Sequence, residues 1–192
     1  MPIRLISGGG GSVSLNPDTT TSALNLTVPA ENGTVITTGA TSRIIPKAAM
    51  PSGSILQIQQ AYKTDAFTLN GGWTNVTGLS VSITPTSTTS KIFVICSVMI
   101  SQTGGGGDSY CRVIRDGTIV VGAGNAGYFA QVAGQDYFQA DCKVMHYLDS
   151  PATTSSITYT VQGNGASFYL NARGLDGGFA TASSIHVMEL AQ

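Results

Sequence analysis

From Ser54 onward, apolar residues fall at every second position in one short run after another. Leu79, Val81 and Ile83 alternate with Ser80, Ser82 and Thr84, and Ile157, Tyr159 and Val161 alternate with Ser156, Thr158, Thr160 and Gln162. A period of two places alternate side chains on opposite faces of a strand, whereas a helix repeats every 3.6 residues. Leu56 and Ile58 begin another strand, with Gln57 and Gln59 on its other face. Ala140, Cys142, Val144, His146 and Leu148 share one face of a further strand. Lys91 to Ser101 is a continuous apolar run, which predicts a strand covered on both faces. The last strand is expected at Ser183 to Leu190.

Turn chemistry separates these runs. Asp116-Gly117 lies between Tyr110–Arg115 and Thr118–Val121, a strong hairpin signal. Asn164-Gly165 predicts a turn leading into Phe168 to Asn171. Many short strands at regular spacing make the fold class all-β, a β-sandwich of jelly-roll-like type. Composition agrees. Charged residues make up 10% of the chain, against about 25% in an ordinary domain. Strong helix formers are correspondingly scarce.

Residues 1–53 read differently from residues 54–192. They hold Gly8 to Gly11, short alternating runs at Val13, Leu15, Leu24, Leu26 and Val28, and a turn at Asn32-Gly33. No large aromatic residue occurs among them. Such a segment buries too little apolar surface to offset its own chain entropy. We therefore expect an extended N-terminal assembly or attachment segment, 1–53, followed by a β-sandwich domain, 54–192. The segment should be ordered only against a partner.

Charge and hydropathy exclude several function classes. The net charge of −1 comes with no Lys/Arg cluster, so no nucleic acid partner is expected. The longest apolar stretch, Ile92 to Ile100, is far shorter than the ~20 residues a membrane-spanning helix needs. No membrane insertion is expected, and the first residues carry no secretory apolar core. Cys96, Cys111 and Cys142 are odd in number and lack metal or redox spacing, so reduced cysteines in or near the core are expected.

Motifs that look chemical lack their context. Gly122-Ala-Gly-Asn-Ala-Gly127 spells a dinucleotide-binding pattern after a strand. That chemistry needs a helix directly after the glycines to receive the pyrophosphate. Tyr128 to Asp141 has no helical stripe. His146 and His186 are the only histidines, each on a predicted strand among apolar residues, and are read as hydrogen-bonded core residues. Cys142 and His146 lie four apart on a strand, ~13 Å between Cα atoms, too far for one metal. The acids are scattered, and Asp116 and Asp176 precede glycine as turn formers. The three N-x-T triplets, at Asn25, Asn32 and Asn75, are read as chance in a Thr-rich chain. We expect no enzyme activity, no cofactor and no metal. Tyr128, Phe129, Tyr137 and Phe138 cluster in a Gly-containing segment between strands and are the candidate binding residues. Exposed aromatics on loops suit glycans and proteins, while the alternative role is to close one end of the sandwich.

Two stretches carry a resemblance. Leu24-Asn-Leu-Thr-Val-Pro-Ala-Glu-Asn-Gly-Thr-Val-Ile-Thr-Thr-Gly39 resembles a unit that recurs in the shafts and N-terminal parts of phage tail fibres. Gly53-Ser-Ile-Leu-Gln57, continued through Trp73 to Ile92, resembles the opening of C-terminal β-sandwich modules in phage virion structural proteins. Together they cover the first half of the chain. The resemblance implies a homotrimer in the virion, assembled in the host cytoplasm, with the N-terminal segment holding another virion protein. It implies a non-enzymatic short tail fibre or host-contacting protrusion, facing a surface glycan or protein. Fibres usually have a long shaft, and this chain has at most one or two repeat units. The alternative expectation is a capsid decoration or cement protein. A spike depolymerase and a cellular lectin-like module are the remaining readings.

Overall fold

The computed structural model describes residues 3–6, 12–15, 50–102, 109–121, 130–132, 140–172 and 181–192. The chain divides into two compact units, residues 1–44 and 45–192. In the first unit, β1 (Ile3–Ile6) and β2 (Ser12–Leu15) pair antiparallel, with Ile3 opposite Leu15. The fibre-like stretch from Leu24 to Gly39 lies outside the described residues.

The second unit contains β3 (Ile55–Lys63), β4 (Phe67–Ile83), β5 (Lys91–Gln102), β6 (Ser109–Arg115), β7 (Thr118–Val121), β8 (Ala130–Val132), β9 (Ala140–Asp149), β10 (Ile157–Leu170) and β11 (Ser183–Leu190). All its pairings are antiparallel. One sheet runs β3-β11-β5-β9. The other runs β4-β10-β6-β7, with β8 beside the first residues of β6. The chain passes back and forth between the sheets, and its last strand enters between β3 and β5. This strand order is a jelly roll, eight strands in two Greek keys plus the short β8. The all-β sandwich expected from the alternation is present.

The core lies between the sheets. Val94, Cys96, Val98 and Ile100 of β5 meet Leu79 and Val81 of β4, Tyr159 and Val161 of β10, and Ile185 and Val187 of β11 in one cluster. Each fully buried aliphatic side chain contributes roughly 1.5–3 kcal/mol. The predicted hairpin at Asp116-Gly117 is present. Asp116 (φ 47) and Gly117 (φ 86) are both left-handed, as a two-residue type I′ turn requires. Asp116 Oδ1 also accepts from the Thr158 amide at 2.9 Å, which hooks this turn onto β10.

Two expectations need correction. Asn164-Gly165 makes no hairpin, because β10 runs on through both residues with register shifts at Gly163 and Gly165. Those bulges let β10 change partners, from β6 at Tyr159–Asn164 to β5 at Phe168–Leu170. Gly163 is required there, because a Cβ would sit 2.9 Å from Phe168 Cζ. Second, β5 is fully buried on one face only. Ile92, Val94, Cys96, Val98 and Ile100 are inaccessible, while Phe93, Ile95, Ser97 and Met99 remain half-buried. On β3, Gln57 and Ile58 lie on opposite faces, as read, and Glu189 sets the sense: Gln57 reaches inward to that carboxylate, and Ile58 points out.

Candidate interaction surface

Buried charged groups are a usual sign of a catalytic site, and here the two buried carboxylates, Glu189 and Asp149, are held by structural bonds. Glu189 is fully buried on β11. Its Oε1 accepts from the Thr86 amide (2.6 Å), Thr86 Oγ1 (2.7 Å) and Ser90 Oγ (2.7 Å), and its Oε2 from Gln57 Nε2 (2.6 Å). Burial alone would raise this carboxyl's pKa, but the donors outweigh it and hold the pKa below the usual value. Four donors thus hold this carboxylate in its ionised form. Its role is to tie the β4–β5 connection to the sheet. A pocket of ≈ 420 Å³ opens beside it, between Met50, Leu56, Thr89 and Gln192.

Asp149 is the second such group. It accepts from Arg115 and, at 2.6 Å, from Tyr159 Oη, while its other oxygen takes the Ser150 amide at 2.8 Å. This triad joins β9 of one sheet to β6 and β10 of the other. Burial, then the neighbouring carboxylate, pushes the Tyr159 hydroxyl well above its usual pKa. Lys63 Nζ is paired with Asp65 at 2.5 Å. Asn171, left-handed at φ 58, donates from Nδ2 to the Lys63 carbonyl (2.9 Å) and accepts Ser183 Oγ on Oδ1 (2.6 Å). Among the described residues, no three of His, Cys, Asp and Glu are placed to share a metal ion.

The distinctive feature is the outer face of β3-β11-β5-β9. Registry places its outward side chains in rows across the four strands. Ile58, Met188, Phe93 and Leu148 form one row. Gln60, His186, Ile95 and His146 form the next, and Tyr62, Ser184, Ser97 and Val144 the third. Met99 and Cys142 extend it at one end. Ile58 (52%), Tyr62 (66%), Val144 (63%) and Leu148 (49%) are strongly exposed. The three rows contain no Asp, Glu, Lys or Arg. Lys91 stands at the rim, bonded to Ser150 Oγ at 2.6 Å.

Several sequence readings fall on this face. His146 and His186 are not core residues. His146 is exposed beside the Phe93 ring, at 6.2 Å between centroids, and His186 Nε2 meets Ser184 Oγ at 3.1 Å. Cys96 and Cys111 are buried as expected, but Cys142 is exposed. Desolvation pushes the Cys96 thiol up to about 12 and Cys111 well above its ordinary value, so both are poor nucleophiles. Tyr128, Phe129, Tyr137, Phe138 and the Gly122–Gly127 motif lie outside the described residues. Sequence reasoning missed Ile58, Tyr62 and the outward residues of β5 as surface. Their signal was the unbroken apolar run of β5, whose odd positions have no place in a core already filled by the even ones.

The described residues thus define a jelly-roll module whose outer β3-β11-β5-β9 face lacks Asp, Glu, Lys and Arg in its three rows and exposes several large apolar side chains. No family model matches the chain, and no curated protein matches it. Among solved structures it is similar to the infectious bursal disease virus VP2 subviral particle, with a TM-score of 0.41 and 11% identity. That likeness covers 78% of this chain and 41% of the VP2 chain, so this chain spans less than half the length of that protein.

Proposed function

We propose that this protein is a non-enzymatic structural component of a phage particle, built from several copies and projecting as a short tail fibre or host-contacting protrusion. The observation that carries the reading is the outer sheet face, with no Asp, Glu, Lys or Arg in its three rows, on a jelly roll whose buried carboxylates are held by structural bonds. A chain with so few charges, and with Ile58, Tyr62, Val144 and Leu148 exposed on one sheet face, is suited to burial among other subunits. The fibre-like stretch from Leu24 to Gly39 directs the reading to a phage. A homotrimer is the expected assembly, anchored to another virion protein by its N-terminal segment. Multivalent contact with a host glycan or protein then gives avidity far above that of one site. No cofactor, nucleic acid or membrane enters this mechanism.

One observation favours a second reading. The same uncharged face, laid against the shell, also suits a decoration or cement protein on the phage head. Particles made without the protein separate the two. Intact, heat-stable heads that no longer adsorb support the protrusion, whereas fragile heads that still adsorb support the cement. Shortening of host polysaccharide by the purified protein would overturn both in favour of a depolymerase.

A further inference from the structure

We propose that the outer face of β3-β11-β5-β9 is the surface on which one copy of this chain packs against another. The inference rests on the homo-oligomeric part of the reading above and assigns that assembly its contact surface.

The first argument is area. Four strands ~4.8 Å apart and about eight residues long span roughly 500 Å² in projection. Ile58, Met188, Phe93, Leu148, Ile95, Tyr62 and Val144 supply the apolar part of that area, interleaved with polar but uncharged side chains. With side-chain relief and the polar rim, it approaches the ~800 Å² per partner of a standard interface.

The second argument is charge. Contacts between identical copies bring like residues near one another, so a face carrying one sign of charge resists such contact. The three rows of this face hold no charged residue, and they pay no such penalty. A partner of different composition is usually selected by complementary charge, and the rows offer none. What they offer is Phe93, Ile95, Met188, Leu148 and Val144.

Cys142 provides a probe without any mutation, because it is the exposed thiol at the end of this face. The experiment uses the full chain, with its mass measured by light scattering and its native thiols counted with a maleimide. We expect a mass that is a multiple of 19.7 kDa and no reactive thiol. Val144→Glu with Leu148→Glu replaces two exposed side chains and should yield a folded 19.7 kDa monomer with one reactive thiol per chain. An oligomer that keeps its mass in the double variant, or whose native Cys142 reacts, overturns this interface but leaves the oligomeric reading standing. A wild-type monomer with a reactive Cys142 overturns both. A monomer with a protected Cys142 overturns the second copy as occupant and shows the face covered by the chain's own residues. Should the double variant fail to fold, the native mass and thiol count still decide the outcome.

Discussion

The two sheets share one core but present opposite outer faces. On β4-β10-β6, outward side chains are hydroxyls and amides that satisfy one another across strands. Ser80 pairs with Thr160 (3.0 Å) and Ser82 with Thr158 (2.8 Å). Gln162 accepts Arg112 Nε at 2.7 Å and donates to Asn75 at 2.8 Å, while the Arg112 guanidinium stacks 4.0 Å from the Trp73 ring centroid. On β3-β11-β5-β9, the three outward rows mix aliphatic and aromatic side chains with Gln60, His146, His186, Ser97 and Ser184, and none of these is Asp, Glu, Lys or Arg. The first face is bonded within the chain, and the second leaves Ile58, Tyr62, Val144 and Leu148 exposed.

Four measurements test that contrast. The largest effect is expected where the two sheets are bonded together. Asp149→Ala strands the Arg115 guanidinium and the Tyr159 hydroxyl beside the core, and should cost about 3 kcal/mol in urea unfolding. A loss below about 1 kcal/mol would mean the sheets are held by packing alone.

Next comes a pair of neighbours on β5. Val94→Ala opens a cavity in the core and should cost about 2 kcal/mol. Ile95→Ala, made in the Val144→Glu, Leu148→Glu chain, should cost under about 1 kcal/mol, because it trims a surface already in water. Equal losses would show that the outer face is covered even in the single chain.

Glu189 gives a smaller, pH-dependent effect. Its folded pKa is depressed below the ordinary carboxyl value of 4.5. The stability it contributes is complete above pH 4.5 and is lost as pH falls through the lower folded value. Glu189→Gln should cost about 1–2 kcal/mol at neutral pH, and the loss should narrow in acid. A loss independent of pH would place the effect in packing. The smallest change is expected on the polar face. Ser82→Ala removes one half of an exposed hydroxyl pair and should shift stability by under about 0.5 kcal/mol, with no change in solution mass.

Much of the architecture was legible because alternation and turn chemistry are local. β11 falls at Ser183–Leu190, as read, and the Asp116-Gly117 turn has the predicted left-handed pair. What alternation cannot carry is the sense of each face. Period two says that Ile58 and Gln57 lie on opposite sides, but only the buried Glu189 decides that Gln57 goes in. The same blindness put His146 and His186 in the core, since apolar neighbours do not say which side is covered. Asn164-Gly165 failed for another reason. Its turn preference is weaker than the pairing of β10 with β4 and β5 on either side of it. The buried bonds of Glu189 and Asp149 span long sequence separations, and scattered acids give no local sign of them.

The place of β11 also bears on when this protein can become folded during its synthesis. A ribosome delivers β3 and β5 long before β11, which must come to lie between them. Until then each offers a bare edge of backbone donors and acceptors, open to any strand nearby. The nascent chain waits for β11 before that half of the module can close. Copies made side by side on one message would hold such edges at high local concentration, where correct closure and exchange of strands between copies compete.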